Sequence, residues 1–217
     1  MTILVRSDQP VTLVGGGPVD GAQLSRATAL APTVIGADSG ANRAHELGVT
    51  VDHIIGDMDS VDIEVLGRIP EHLIAEQMST DLDKCLYATE APYYLGVGFT
   101  GGLIDHHLAA CHSLITTDKK LILLGAEDIC FRAPLDFQLD LPLGTRVSLF
   151  PMGEVTGRST GLRWPIEGLE FSPVRKIGTS NETVAETINL GFDCPQMLII
   201  LPARYLETVV KYLFSNT

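Results

Sequence analysis

From Val11 to Gly125, short apolar runs alternate with stretches that carry apolar residues at three- and four-residue spacing, and this alternation constrains the fold more than any other feature. The short runs read as strands and the stretches between them as helices. Strands are expected at 11–14, 33–37, 53–55, 73–75 and 121–124, and helices at 40–47, 62–69, 80–91 and 104–115. Strand and helix in alternation require parallel strands joined by right-handed crossovers, with ligands bound beyond the carboxyl ends of the strands. After Gly125 the helical spacing stops. Phe137, Leu139 and Leu141 alternate with polar neighbours, and short segments at 146–150, 168–172 and 197–201 lie between Gly- and Pro-containing turns, as in a sandwich or small barrel. A boundary is placed near residue 126.

Three acidic clusters fall at the expected strand ends: Gly56-Asp57-Met58-Asp59-Ser60, Ser79-Thr80-Asp81-Leu82-Asp83-Lys84 and Gly101-Gly102-Leu103-Ile104-Asp105-His106. If the strand stays extended, Asp57 and Asp59 project from one face. Two carboxylates about 5 Å apart repel by roughly 3 kcal/mol at an effective dielectric of about 20, and Asp81 would add to that. Either one carboxyl is protonated or a hard cation sits among them; Mg²⁺, held by a few carboxylates and substrate phosphates, suits these residue types. Each cluster alone also reads as a turn or, for Thr80 with Asp83, as a capping box.

Composition narrows the partners. With 27 acidic against 15 basic residues the net charge is -12, and no Lys/Arg run offsets it, which argues against a nucleic-acid partner. A phosphorylated substrate would need a metal ion or a few placed cations, whereas a cationic organic substrate would be attracted. The four cysteines, Cys85, Cys111, Cys130 and Cys194, show neither C-x-x-C nor zinc-like spacing, and read as buried thiols of a reducing compartment. The early charged residues Arg6 and Asp8 do not suit a signal peptide, and no apolar run reaches the length of a membrane span, so the reading is a cytoplasmic protein without a membrane partner.

No Walker A loop is present, so phosphates must be held another way. Gly15-Gly16-Gly17 follows the first strand and could bring backbone N–H groups to phosphate, although its spacing is not G-x-G-x-x-G. Asp38 ends the second strand, where dinucleotide-binding folds keep a ribose-binding acid; a Rossmann-type oxidoreductase therefore stays in view, and the missing third glycine counts against it. Lys84, one turn after Asp81, is placed to meet the charge of a transferring phosphoryl group. His106, beside Asp105 near a helix start, suits nucleotide contact better than metal, while His45, His53 and His72 read as surface or core residues.

These residues resemble the thiamin pyrophosphokinase (thiamin diphosphokinase) family. The resemblance rests on Ala37-Asp38-Ser39-Gly40-Ala41-Asn42-Arg43, Gly56-Asp57-Met58-Asp59-Ser60, Gln77 with Ser79-Thr80-Asp81-Leu82-Asp83-Lys84-Cys85-Leu86, Gly101-Gly102 with Asp105-His106, Gly161-Leu162-Arg163-Trp164 and Gly178-Thr179-Ser180-Asn181, in order over nearly the whole chain. It implies a Rossmann-like α/β nucleotide- and metal-binding catalytic domain over 1–125 with a mostly parallel sheet. A C-terminal all-β sandwich over 126–217 would contribute to thiamin binding and dimerisation. It further implies a homodimer with thiamin between subunits, and attack of the thiamin hydroxyl on ATP with Mg²⁺ bound and AMP leaving. Carried over, Asp57, Asp59 and Asp81 would be catalytic and hold the metal. Asp38, Asn42, Gln77, Thr80, Lys84, Gly102, Asp105 and His106 would bind nucleotide. Trp164 would stack on thiamin, and Ser180 and Asn181 would hydrogen-bond its pyrimidine. Leu103 stands where the family usually has arginine, and Ser39 where it often has glycine. A non-catalytic nucleotide- or thiamin-binding module, or a related kinase such as a dephospho-coenzyme A kinase, remains an alternative.

Overall fold

The structure, a computed structural model, describes residues 2–62 and 64–214. It divides into two compact units, the first ending at Ala126 and the second beginning at Glu127.

The first unit contains β1 (Val5–Arg6), β2 (Val11–Val14), α1 (Gly21–Leu30), β3 (Thr33–Ala37), α2 (Gly40–Glu46), β4 (His53–Gly56), β5 (Glu71–Leu73), α3 (Asp81–Ala88), β6 (Thr89–Glu90), β7 (Tyr94–Val97), α4 (Ile104–Thr116) and β8 (Leu121–Leu124). Its main sheet has the order β8-β7-β2-β3-β4-β5, and every pairing in it is parallel. Strands β2, β7 and β8 are buried at every residue, as strands covered on both faces must be, and β8, with the sequence LILL, accordingly appears as an unbroken apolar run. The chain starts at the centre with β2, steps outward to β5, then returns to place β7 on the other side of β2. The order thus reverses between β2 and β7, and a crevice opens there beyond the strand ends. Two glycines permit the close packing at that point. A Cβ at Gly40 would lie 1.8 Å from the Val14 carbonyl oxygen, and Gly98, at φ +73°, leaves no room for one against Gly15.

Several elements depart from the sequence reading. Helix α1 was not expected, because only Leu24 and Ala27 of its ten residues are buried and the apolar stripe is faint; its start is fixed by a capping box between Asp20 and Gln23. Strand β7 was also missed, its glycine and short length hiding it. The expected helix at 62–69 is a series of turns over 64–69, with Gly67 at φ +73° before Pro70; Ile63 lies outside the described residues. The strand expected at 73–75 lies at Glu71–Leu73, and α3 stops at Ala88 because Thr89 joins β6, which pairs with β1. Cys85 and Cys111 are buried, whereas Cys130 and Cys194 are partly exposed. His53 and His72 contact each other, ring nitrogen to ring nitrogen, at 3.1 Å.

The second unit contains β9 (Asp128–Arg132), β10 (Asp136–Asp140), β11 (Arg146–Pro151), β12 (Val155–Thr160), β13 (Glu170–Phe171), β14 (Gly178–Glu182), β15 (Thr187–Phe192), β16 (Met197–Pro202), a 3₁₀ turn at Ala203–Tyr205 and α5 (Leu206–Phe214). Its strands form two antiparallel groups, β10-β15-β12-β13 and β14-β11-β16-β9. Strand β10 alternates exposed and buried residues, the pattern of a sheet with one wet face. Phe131 on β9 meets Phe137 on β10 with ring centroids 5.8 Å apart, so the two groups share an aromatic core; Tyr212 of α5 packs edge-on against Phe137 at 5.0 Å.

Candidate active site

A cleft of about 840 Å³ lies at the crevice between the ends of β2 and β7, lined by Gly15 to Pro18, Gly98 and Phe99, Gly102 and Leu103, and the ends of β3 and β4. The glycine turns are fastened to each other, since Gly15 N donates to Val97 O at 2.8 Å and Gly17 N to Gly98 O at 2.8 Å. The polar end of the cleft is built from three loops.

Asp38 leaves β3 in the left-handed region at φ 47°, which aspartate tolerates better than most residues, and its N–H donates to Ile55 O on the neighbouring strand. Its carboxylate is only 3% exposed, and Oδ1 has no hydrogen-bond partner among the described residues. Asp57 and Asp59 follow β4, which ends at Gly56, so they sit on a turn and not on the extended strand anticipated. Met58 between them takes φ 66°, and this strained conformation folds the two carboxylates toward Asp38. Carboxylate oxygens of Asp38, Asp57 and Asp59 all lie within 4.8 Å of one another. Three hard oxygen donors, one of them buried without a partner, fit a divalent cation.

Asp81 does not belong to that trio. It opens α3, and its Oδ1 accepts a hydrogen bond from Lys84 Nζ at 3.2 Å, while Asp57 Oδ2 lies 3.4 Å from the same ammonium. The trio of carboxylates that the fold brings together thus differs by one member from the set anticipated from the sequence, Asp38 joining Asp57 and Asp59 while Asp81 lines the same cleft beside Lys84. Lys84 is 2% exposed. Burial alone would pull its pKa down, but the hydrogen bonds and charges of Asp81 and Asp57 outweigh that, and its pKa is raised, so the ammonium stays charged. Burial lifts the Asp81 carboxyl above its ordinary value, with Lys84 opposing and the charges of Asp38 and Asp57 adding to the rise. Asp57 moves the other way, chiefly because Gln77 Nε2 donates to its Oδ2 at 2.6 Å.

Thr80 caps α3, its hydroxyl accepting from Asp83 N at 3.2 Å while Asp83 Oδ2 takes the Thr80 hydroxyl at 2.8 Å; Thr80 also lines the cleft, so capping and site roles coexist. Two supports gave no signal in the sequence. Ser113 of α4 donates to Asp83 Oδ1 at 2.6 Å, and Glu76 accepts from Met78 N at 2.6 Å, Tyr87 OH at 2.8 Å and the Ser79 hydroxyl. The Ser79 bond, followed by that from Tyr87, takes Glu76 down to about 2.

Gly102 and His106 line the cleft as anticipated. Asp105 does not, its Oδ1 accepting from His106 N at 2.9 Å, and Asn42 is turned toward the Ser60–Asp62 backbone instead. Leu103, 68% exposed, forms part of the wall, and Arg43 cannot stand in for an arginine there, because its guanidinium is bound to Val19 O and Glu46. In the second unit Trp164 is 53% exposed and no core anchor, with the Arg163 guanidinium 5.0 Å from the ring centroid. Asn181 braces it, accepting from Trp164 N at 3.1 Å and donating to Trp164 O at 2.7 Å. Ser180 is exposed at φ 59°, with its N–H donating to Ser148 Oγ.

Comparison with known proteins bears on both units. Residues 24–124 match the family model described as thiamin pyrophosphokinase, catalytic domain, and residues 134–197 the one described as thiamin pyrophosphokinase, vitamin B1 binding domain. A thiamine pyrophosphokinase from rice, Oryza sativa subsp. japonica, is 29% identical over 165 residues, which span 65% of this chain and 62% of the rice protein. Among solved structures, yeast thiamin pyrophosphokinase superposes with a TM-score of 0.77 at 17% identity, covering 95% of this chain and 90% of that one. The Candida albicans enzyme gives 0.76 at 14% identity, covering 90% and 88%. At such identities the structural likeness establishes the fold.

Proposed function

The chain belongs to the thiamin pyrophosphokinase family, and from that premise we propose that it transfers the pyrophosphoryl group of ATP to the hydroxyl of thiamin, giving thiamin diphosphate and AMP. The observation that carries the reading is the meeting of Asp38, Asp57 and Asp59 within 4.8 Å at one end of a cleft that also holds the buried Lys84. Mg²⁺ held by these three carboxylates would polarise the phosphates and neutralise charge developing on them. Pyrophosphoryl transfer otherwise demands positioning and electrostatics, which the side chains supply.

In this scheme Lys84 meets the phosphate oxygens with a permanent charge, and Gln77 fixes Asp57 in its orientation. Asp81 receives the thiamin hydroxyl at Oδ2, the oxygen that Lys84 leaves available, and its raised pKa suits it to take the proton. The glycine turns at Gly15–Gly17 and Gly102, with Thr80 and His106, border the nucleotide, while Asp105 acts through the His106 backbone. Trp164 stacks on the cationic thiazolium, Ser180 is open to its pyrimidine, and Asn181 serves by holding Trp164, both ends of its amide being engaged.

The family further supports a Rossmann-like catalytic domain over 1–125, a β-sandwich over 126–217, a homodimer with thiamin between subunits and a cytoplasmic setting. No described helix is long and apolar enough to cross a membrane. A binding module and a dephospho-coenzyme A kinase are not favoured, since both matching family models describe thiamin pyrophosphokinases. Incubation with ATP, Mg²⁺ and thiamin tests the proposal: thiamin diphosphate and AMP should appear in equal amounts. ADP as product, or bound nucleotide without turnover, would refute it.

A further inference from the structure

The three carboxylates arrive on two separate segments, Asp38 at the head of α2 and Asp57 with Asp59 on the loop after β4. Asp38 N donates to Ile55 O on β4, and Gln77 and Lys84 reach Asp57, but among the described residues no side chain of the loop itself bonds to α2, and its Met58 is in a conformation that an unrestrained chain would leave. From α2, Asn42 reaches the far end of the loop directly. Asn42 Nδ2 donates to Ser60 O at 2.9 Å, and Asn42 Oδ1 accepts from Asp62 N at 2.9 Å, so both ends of one amide grip the backbone just beyond Asp59. The helix carrying Asn42 is itself firmly seated. Gly40 packs against the end of β2, and Arg43 Nε and Nη2 hold Val19 O at 3.1 and 2.6 Å.

We propose that Asn42 is a positioning residue for the cation: it sets the distance between Asp38 and the Asp57–Asp59 pair, and with it the affinity of the site for a divalent ion. The proposal rests on the metal reading given above and assigns Asn42 no contact with nucleotide. Its physical basis is that a multidentate oxygen site binds a small cation tightly only when the ligands are held at coordination distance before the ion arrives. Ser60 O and Asp62 N both lie at the surface, where water replaces a lost amide partner at little cost to the fold. The loss should therefore appear in cation affinity and not in melting temperature.

The test uses Mn²⁺ as a spectroscopic stand-in for Mg²⁺, measuring free Mn²⁺ by electron paramagnetic resonance in titrations of the whole chain without nucleotide. Asn42→Ala should bind Mn²⁺ roughly ten- to a hundredfold more weakly, the usual scale for losing an orienting partner. Its melting temperature should match that of the unsubstituted protein, and the Asp62 amide should exchange hydrogen faster while α2 amides do not. Asn42→Ser, too short to reach both groups, should behave alike and serves if the alanine variant fails to fold. Asp57→Asn is the reference for the site itself. Unchanged Mn²⁺ binding in the Asn42 variants alongside loss in Asp57→Asn would overturn the positioning role and leave the metal reading standing. Unchanged binding in all of them would overturn both. A loss in the Asn42 variants matched by a fall in melting temperature would reduce Asn42 to a structural residue.

Discussion

Lys84 and Trp164 mark opposite ways of building a functional surface in one chain. The first unit takes a lysine almost wholly out of water, surrounds it with carboxylates and keeps Asp38 and Met58 in left-handed conformations, so its polar end is electrostatically loaded before any ligand arrives. The second unit leaves its tryptophan half exposed and fixes it with bonds between Asn181 and the Trp164 backbone, an arrangement built around a surface ring and not a buried charge. The difference teaches where stability and function oppose each other. In the first unit, removing a negative charge should relieve the fold while ending activity; in the second, removing the aromatic ring should do nothing to the fold and weaken only one substrate.

The carboxylates give the largest effect. Asp38→Asn, Asp57→Asn and Asp59→Asn should each lower turnover by roughly 10³-fold; Asp38→Asn and Asp59→Asn should leave the ligand-free protein as stable as before or more so, because each removes a repelling charge at constant volume, whereas Asp57→Asn also gives up its ion pair with Lys84. Turnover with excess Mg²⁺ and a thermal melt decide it; unfolding of these variants would erase the contrast with the second unit. Lys84→Met comes next, with turnover down roughly a hundredfold. It should also be destabilised by about 2 to 3 kcal/mol by chemical denaturation, since Asp57 and Asp81 lose their cation while keeping some access to water. Trp164→Ala should keep its stability within about 0.5 kcal/mol, as exposed sites do, yet bind thiamin roughly tenfold more weakly. Addition of thiamin should quench the fluorescence of this sole tryptophan in the unsubstituted protein. Unfolding of the mutant with no such quenching would return Trp164 to a packing role. The smallest change is expected for Leu103→Arg, whose new guanidinium would face the cleft and lower KM for ATP a few-fold. A neutral or harmful result in a folded variant would mean that the wall is adapted to an apolar residue.

What the sequence disclosed follows physical lines. Val11–Val14, Thr33–Ala37 and Leu121–Leu124 were legible as strands because burial on both faces demands short, mostly apolar runs. Helix α1 was not, because a helix that buries two residues leaves almost no periodic trace. Asp57 and Asp59 could be paired from their spacing alone, although a left-handed Met58 and not an extended strand brings them together. Asp38 could be placed at a strand end but not joined to them, since its nearness depends on β3 and β4 being neighbours, a fact of tertiary pairing. The bond from Ser113 to Asp83 and the two that Asn42 makes to the Ser60–Asp62 backbone join segments distant in sequence, and such contacts leave no mark on local composition.

The position of β2 has a consequence for the order in which the first unit assembles. Residues 11–56 contain β2, β3 and β4 with both intervening helices, so half of the sheet can pair through contacts close in sequence. The other half must wait, because Val11 pairs with Tyr94 and no nearer segment occupies that edge of β2. Closing so long a loop is slow, and the edge of β2 stays open to mispairing until it happens. During synthesis, therefore, the carboxylate loops can be in place while the floor of the cleft is still missing, because the seam between β2 and β7 closes only once Tyr94–Val97 is available.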